Sequence, residues 1–222
     1  MNDIYISGTG IWTQPHKVSN DELVESFNKY VDLYNSDHAE SIKEGSLEAL
    51  VHSSSEFIVK ASGIKQRYVI EKESLLDPMH MKPYIKARND EELSFTAEVG
   101  VIAAKQALNN ADLDPSDIDA VIVSAANLQR AYPAVAIEIQ NELGIEGFAY
   151  DMMVGCSAST FGISNAYCDI KAGKSSKVLV ISPEITSGHN NFKNRDGHFI
   201  FGDICTAVVI SPNINLKFLI QS

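Results

Sequence analysis

In the second half of the chain, short unbroken apolar runs alternate with longer stretches where apolar residues return every three or four positions. Ile118 to Ser124 (IDAVIVS), Lys177 to Ser182 (KVLVIS) and Thr206 to Ser211 (TAVVIS) are of the first kind, the pattern of strands covered on both faces. Three helices are predicted between and around them. One runs from about Ser94 to Asn110, with Val99, Ile102, Ala103, Ala107 and Leu108 on its apolar side. One follows Pro133, carries Val135, Ile137, Ile139 and Leu143, and stops near Gly144. The third covers about Ser157 to Lys171 and ends before Gly173. Phe148 to Asp151 is short and strand-like.

The first part is less regular. Ile4-Tyr5-Ile6 before Gly8-Thr9-Gly10 reads as a strand ending in a glycine turn, and Val18 to Asp21 offers caps for a helix through Leu23, Val24 and Phe27. From about Asn28 to Asn89 the pattern weakens, although Leu47 to Ile58 keeps helical spacing and Gln66 to Ile70 resembles an edge strand. The tail Asn213 to Ser222 shows no element that closes the fold. Strands alternating with helices predict βαβ units. The fold class is therefore α/β, with a mostly parallel five-stranded sheet and helices on both faces.

Composition narrows the function classes. Hydrophobic residues make up 45% and charged residues 21% of 222, the balance of a chain that buries a core. The 29 acids and 18 bases leave a net charge of −11, which repels phosphate backbones and argues against nucleic-acid binding. No apolar run is long enough for a membrane helix, and Asp3 without a basic leader argues against a secretory signal. A cytoplasmic protein is expected. Cys156, Cys168 and Cys205 are odd in number, widely spaced and without a CxxC pair, so neither a disulfide framework nor a metal site is expected.

Cys156 carries the candidate chemistry. In Tyr150-Asp151-Met152-Met153-Val154-Gly155-Cys156-Ser157-Ala158-Ser159, a strand, a glycine turn and a small-residue helix start place this cysteine at a helix N-terminus. Backbone N–H groups there favour the nucleophilic thiolate. The ordinary reading of an unpaired cysteine is a small buried hydrophobe, and that reading suits Cys168 in mid-helix and Cys205 at a strand start.

Four segments in order resemble β-ketoacyl-acyl-carrier-protein synthase III, a condensing enzyme of the thiolase superfamily. They are SGIKQRYV (Ser62 to Val69), DIDAVIVSAAN (Asp117 to Asn127), YDMMVGCSASTFGI (Tyr150 to Ile163) and RDGHFIFGDICTAVVI (Arg195 to Ile210). YPAVAIEIQNELG (Tyr132 to Gly144) supports them. The resemblance implies a thiolase-like N-terminal half-domain over residues 1–222, with an irregular insertion at about 28–90 and the C-terminal half-domain absent. It makes Cys156 the nucleophile, acylated from acyl-CoA and then condensed with a malonyl-carrier-protein after decarboxylation, in fatty acid biosynthesis. It also makes Arg195 a contact to the coenzyme A nucleotide, and Phe201-Gly202-Asp203 a turn that shapes the site.

The chain departs from the family pattern in two places. Phe57 stands where the family stacks a tryptophan on the adenine, with Lys60 nearby, and Ala61 stands where a second arginine is usual. The histidine and asparagine that complete the family's site fall beyond these 222 residues. His16, His38, His52 and His80 read as solvated, and His189 and His198 lie in the loop before the last strand, where a base role near the site is the weaker reading of His198. No permanent cofactor is implied: coenzyme A thioester is substrate, acyl carrier protein and a second copy of the chain are the partners, and no membrane is involved. The weaker stretch from Asn28 to Asn89 is expected to cap the acyl pocket or join the dimer. Leu128, Gln129 and Arg130, after a buried strand, are either pocket-lining or a surface turn. Three alternatives stand beside this reading. One is a relative of hydroxymethylglutaryl-CoA synthase or the long-chain thiolase-like enzymes, with Glu91, Glu92 or Glu98 as its acid. The others are a non-catalytic half-domain scaffolding a carrier protein or synthase, and a cysteine hydrolase.

Overall fold

The computed structural model describes residues 3–212 and the backbone of 218–219. In chain order the elements are β1 (Tyr5–Thr13), β2 (Lys17–Ser19), α1 (Asn20–Asp37), α2 (Ala39–Lys43), α3 (Ser55–Ser62), β3 (Gln66–Tyr68) and α4 (Glu73–Leu76). There follow α5 (Phe95–Ala111), β4 (Ala120–Ala125), α6 (Val135–Leu143), β5 (Phe148–Met153), α7 (Ala158–Lys171), β6 (Val178–Ile185), β7 (Asp203–Ser211) and β8 (Phe218–Leu219). They form two compact units. The first takes the chain up to Thr13, Ala87–Glu184 and everything from Ile204; the second takes Gln14–Lys86 and Ile185–Asp203.

The first unit holds the α/β sheet, in the order β5-β4-β6-β7-β1-β8. The five expected strands are all present, and β8 adds a two-residue sixth from the tail that shows no closing element in sequence. The rest of that tail lies outside the described residues. The parallel pairing expected of βαβ units holds where β4 meets β5 and β6. β1 departs from it, running antiparallel to β7 and β8.

The strand period of two sorts the sheet's faces. Ala120 and Ile122 of β4, with Val178 and Val180 of β6, pack with Ala166 of α7. On the alternate positions, Ile181 reaches Gly100 of α5, which also touches Ile139 of α6. Helices therefore cover both faces, as expected.

The glycines of β1 correct one expectation. They do not end the strand, which continues to Thr13. A Cβ at Gly8 would lie 2.1 Å from the carbonyl oxygen of Ala107, and one at Gly10 would lie 1.9 Å from that of Ala103. These glycines let the α5 backbone lie directly on the strand.

The second unit has its own core of Val18, Leu23, Phe27, Val31, Ile58, Val69, Leu75, Met81, Phe192 and Phe199. Its stretch from 28 to 86 is more ordered than its pattern indicates. α1 continues to Asp37, Ser19 caps it in a capping box with Glu22, and β3 pairs antiparallel with β2. The helical spacing at Leu47–Ile58 is realised only from Ser55 onward. The preceding segment is held by side-chain amides: Asn35 Nδ2 donates to the Leu50 carbonyl and Asn28 Nδ2 to that of Ser53. Such polar ties leave no mark on hydrophobic periodicity.

Candidate active site

β4 and β5 run parallel and in register, so Ala125 and Met153 end side by side. The carboxyl ends of parallel strands are where open α/β sheets place ligand-handling residues. The Val154 N–H donates to the Ala125 carbonyl at 3.3 Å, carrying the pairing one residue further. Gly155 then turns the chain with φ +59°, in the left-handed region where a side chain is strained. A single 3-10 turn, Gly155–Ser157, leads into α7.

Cys156 sits in that turn and is exposed. Serines fix the turn from behind. Ser124 Oγ donates to the Ala158 carbonyl at 2.6 Å, and Ser159 Oγ donates to Ser182 Oγ at 2.9 Å. They tie the first turn of α7 to β4 and β6. Gly162 completes the fit, since a Cβ there would lie 2.7 Å from Val180 Cγ1 and 3.0 Å from Ser124 Cβ. Met153, Val154 and Phe161, from the same segment, are exposed and apolar. The arrangement presents one thiol to solvent on a braced turn, beside exposed apolar side chains.

The other cysteines separate. Cys205 is fully buried, as expected; burial and the neighbouring Glu184 push its thiol well above its ordinary range. Cys168 was expected in the core but is exposed. It lies on the outward side of α7, whose buried residues are Ala158, Gly162 and Ala166.

Phe57 and Arg195 meet each other in the second unit, with the Arg195 guanidinium 4.1 Å above the Phe57 ring centroid. Arg195 Nε donates to the His52 carbonyl at 2.9 Å. Phe57 packs edge-on against Phe199 at 5.8 Å. Asp203 does not face solvent. Its Oδ1 accepts from the Ser187 N–H at 2.8 Å, and its Oδ2 accepts from the Ser187 hydroxyl and the Ile70 N–H, each at 2.6 Å. Burial raises its carboxyl above the usual range, and these donors oppose the rise. Gly202 is required by contact, since a Cβ there would lie 2.7 Å from the Tyr68 carbonyl oxygen. The Phe201-Gly202-Asp203 turn thus shapes its surroundings without presenting a reactive group.

His16, His38, His52, His80 and His189 are exposed. His198 is fully buried, stacked on Phe27 at 4.6 Å, with Nε2 lacking a hydrogen-bond partner among the described residues. Burial lowers its pKa below 6.5, and its position makes it part of the core rather than a proton shuttle. Gln129 and Arg130 are engaged structurally: Gln129 Oε1 accepts the Phe95 N–H, and Arg130 pairs with buried Glu138 at 3.0 Å. Glu92 accepts the Asn89 N–H and Glu98 pairs with Arg88. The bracing residues Ser124, Ser159 and Ser182 were not singled out in the sequence. The available signal is that the apolar strand runs end in serine, at Ser124, Ser182 and Ser211. No group of three or more His, Cys, Asp or Glu among the described residues could hold a metal ion.

Comparisons with known proteins find relatives in sequence and in fold. The family model of 3-oxoacyl-[acyl-carrier-protein] synthase III matches residues 150–221, which include Cys156, Arg195 and Asp203. A β-ketodecanoyl-[acyl-carrier-protein] synthase of Pseudomonas aeruginosa is 54% identical over 187 residues, 84% of this chain and 53% of that protein. A β-ketoacyl-[acyl-carrier-protein] synthase III of Agrobacterium fabrum is 36% identical over 165 residues, 74% of this chain and 45% of the relative. In structure, the 3-oxoacyl-[acyl-carrier-protein] synthase III of Aquifex aeolicus superposes with a TM-score of 0.68 at 26% identity, over 94% of this chain and 53% of that one. The priming β-ketosynthase of the R1128 polyketide pathway gives 0.70 at 24% identity, over 97% and 51%. The chain thus spans about half the length of the relatives it matches. Within that span, the turn that carries the cysteine, the sheet that supports it and the similarity to named relatives place the chain in the β-ketoacyl-acyl-carrier-protein synthase III family.

Proposed function

We infer that this chain performs the acyl-transfer half of a β-ketoacyl-acyl-carrier-protein synthase III reaction, the decarboxylating Claisen condensation of an acyl-CoA with malonyl-acyl-carrier-protein in fatty acid biosynthesis. One observation carries the reading: Cys156 is exposed on a serine-braced glycine turn at the carboxyl ends of two parallel strands. The Cys156 sulfur attacks the thioester carbonyl of the acyl-CoA. The acyl–sulfur bond to coenzyme A breaks, and coenzyme A leaves as the thiol with the proton that Cys156 gave up. The Cys156 backbone N–H is assigned to the oxyanion of the tetrahedral intermediate, where a fixed donor lowers the barrier most. The acyl-cysteine then accepts the carbanion that malonyl-carrier-protein forms on losing carbon dioxide, and the β-ketoacyl product departs on its carrier.

Phe57 and Arg195 are assigned to the coenzyme A nucleotide, an aromatic face and a guanidinium being suited to a purine and a phosphate. None of the six histidines in the chain is placed to drive decarboxylation. That step is assigned to a histidine and an asparagine outside these residues, in the complementary half of a thiolase-like molecule whose N-terminal half-domain this chain forms. A homodimer is proposed as well, β5 being one of the two outer strands of its sheet among the described residues, and an edge strand offers backbone groups for pairing. No helix among the described residues is long and apolar enough to cross a membrane, and the acyl-CoA and carrier substrates are consistent with the cytoplasm.

Intact-protein mass after incubation with a panel of acyl-CoAs tests the reading. The expected result is a mass increase equal to the acyl group, absent in Cys156→Ser. An adduct that survives Cys156→Ser, or no adduct from any donor, would overturn it and favour a scaffolding role.

A further inference from the structure

Four polar contacts make the stretch between α1 and α3 a brace rather than a connection. Asn28 donates Nδ2–H to the Ser53 carbonyl at 3.1 Å and accepts the Ser53 N–H on Oδ1 at 2.8 Å. Seven residues on, two helical turns along the same face of α1, Asn35 makes the same reciprocal pair with Leu50, at 2.9 Å each way. Each amide thus satisfies one N–H and one carbonyl of the segment, as a neighbouring strand would. The backbone is gripped at Leu50 and Ser53, and His52 lies between the grips.

The His52 carbonyl accepts from Arg195 Nε at 2.9 Å. With Nε engaged, the guanidinium plane cannot rotate freely, and it rests 4.1 Å above Phe57. Phe57 is held in turn by its N–H on Ser54 Oγ at 3.1 Å and by Phe199 against its ring. Arg195 pairs with no carboxylate among the described residues, and its Nη groups carry no protein hydrogen bond there. A flexible arginine loses conformational freedom when it grips a phosphate, and one ordered beforehand loses less.

We propose that Asn28 and Asn35 are positioning residues for acyl-CoA selection: they hold the His52 carbonyl where it pre-orients Arg195 toward the adenosine bisphosphate end of coenzyme A. The proposal rests on the assignment of Phe57 and Arg195 to the nucleotide. It gives the polar stretch before α3 a role in choosing donors that carry a nucleotide over donors that do not.

The test uses the 222-residue chain with two probes: calorimetric binding of adenosine 3′,5′-bisphosphate, and the rate of Cys156 acylation by an acyl-CoA relative to the matching acyl-pantetheine, which lacks the nucleotide. Arg195→Ala is expected to weaken bisphosphate binding by about tenfold, the scale of one charge-assisted contact. The Asn28→Ala/Asn35→Ala pair should weaken it several-fold and lower the acyl-CoA preference by the same factor. In the Arg195→Ala background the Asn pair should have little further effect, because the residues act through one group. Unfolding midpoints are measured first, and if the pair does not fold, Asn35→Ala alone carries the comparison. Asn variants that bind and discriminate like the parent, while Arg195→Ala binds weakly, would overturn the brace and keep the nucleotide assignment. Parent-like binding by Arg195→Ala, or no binding by the parent, would overturn the assignment itself. Equal losses with both donors would show a structural role alone and overturn the positioning.

Discussion

Cys156 and Asp203 each follow a glycine at the start of an element, yet the structure uses them oppositely. Cys156 is turned out to solvent, whereas Asp203 is turned inward onto three donors from Ser187 and Ile70. Asp203→Ala strands those donors and should cost about 3 kcal/mol or more of stability, read from urea unfolding. Asp203→Asn keeps an acceptor and should cost less. His198 makes a pH-dependent counterpart. Its folded-state pKa lies below its ordinary 6.5, because burial disfavours the charged ring and Arg67 and Arg195 add repulsion. A depressed pKa contributes stability that is present above 6.5 and lost as pH falls through the lower folded value. The urea midpoint should therefore drop as pH is lowered below 6.5, and His198→Phe, which keeps an aromatic ring on Phe27, should flatten that part of the profile. An unchanged profile in the variant would assign the acid sensitivity to other groups.

Among the elements, the close approach of α5 to β1 depends on two missing side chains. Gly10→Ala would force a Cβ to within 1.9 Å of the Ala103 carbonyl oxygen, so α5 must lift from the strand. The expected cost is about 3 kcal/mol, the upper range for overpacking, or failure to fold. Gly144 ends α6 with φ +68° and open space around it. Gly144→Ala should cost about 1 kcal/mol from backbone conformation alone. Comparing the two in equilibrium unfolding separates contact from conformation. At the start of α1, Ser19→Ala removes the cap that accepts the Glu22 N–H and should lower stability by about 1 kcal/mol.

For the whole molecule, cysteine accessibility offers a simple readout. Of the three thiols, Cys156 and Cys168 are exposed and Cys205 is buried. A thiol reagent should consume two equivalents quickly under native conditions and the third only after denaturation. Cys156→Ser should leave one fast equivalent. A third fast thiol in the parent would mean that the strand carrying Cys205 is not packed as described. The two units differ in how far they were legible. The sheet unit announced itself, because each buried strand is a continuous apolar run and each helix repeats its apolar residues near every fourth position. The second unit did not, because much of its order comes from serine, asparagine and histidine contacts that join residues 15 to 25 positions apart.

By itself the sequence determined the α/β class, most element positions, the burial of Cys205 and the placement of Cys156 in a glycine turn at a helix start. All of these depend on local spacing and on which residues tolerate which backbone conformation. Only the tertiary structure decided that Gly8 and Gly10 serve contact rather than a turn, that Cys168 faces out, that His198 is core, and that Asn28 and Asn35 reach Arg195 through His52. Each of these depends on which distant backbone lies within a few ångströms, and no periodicity in a single chain encodes that distance.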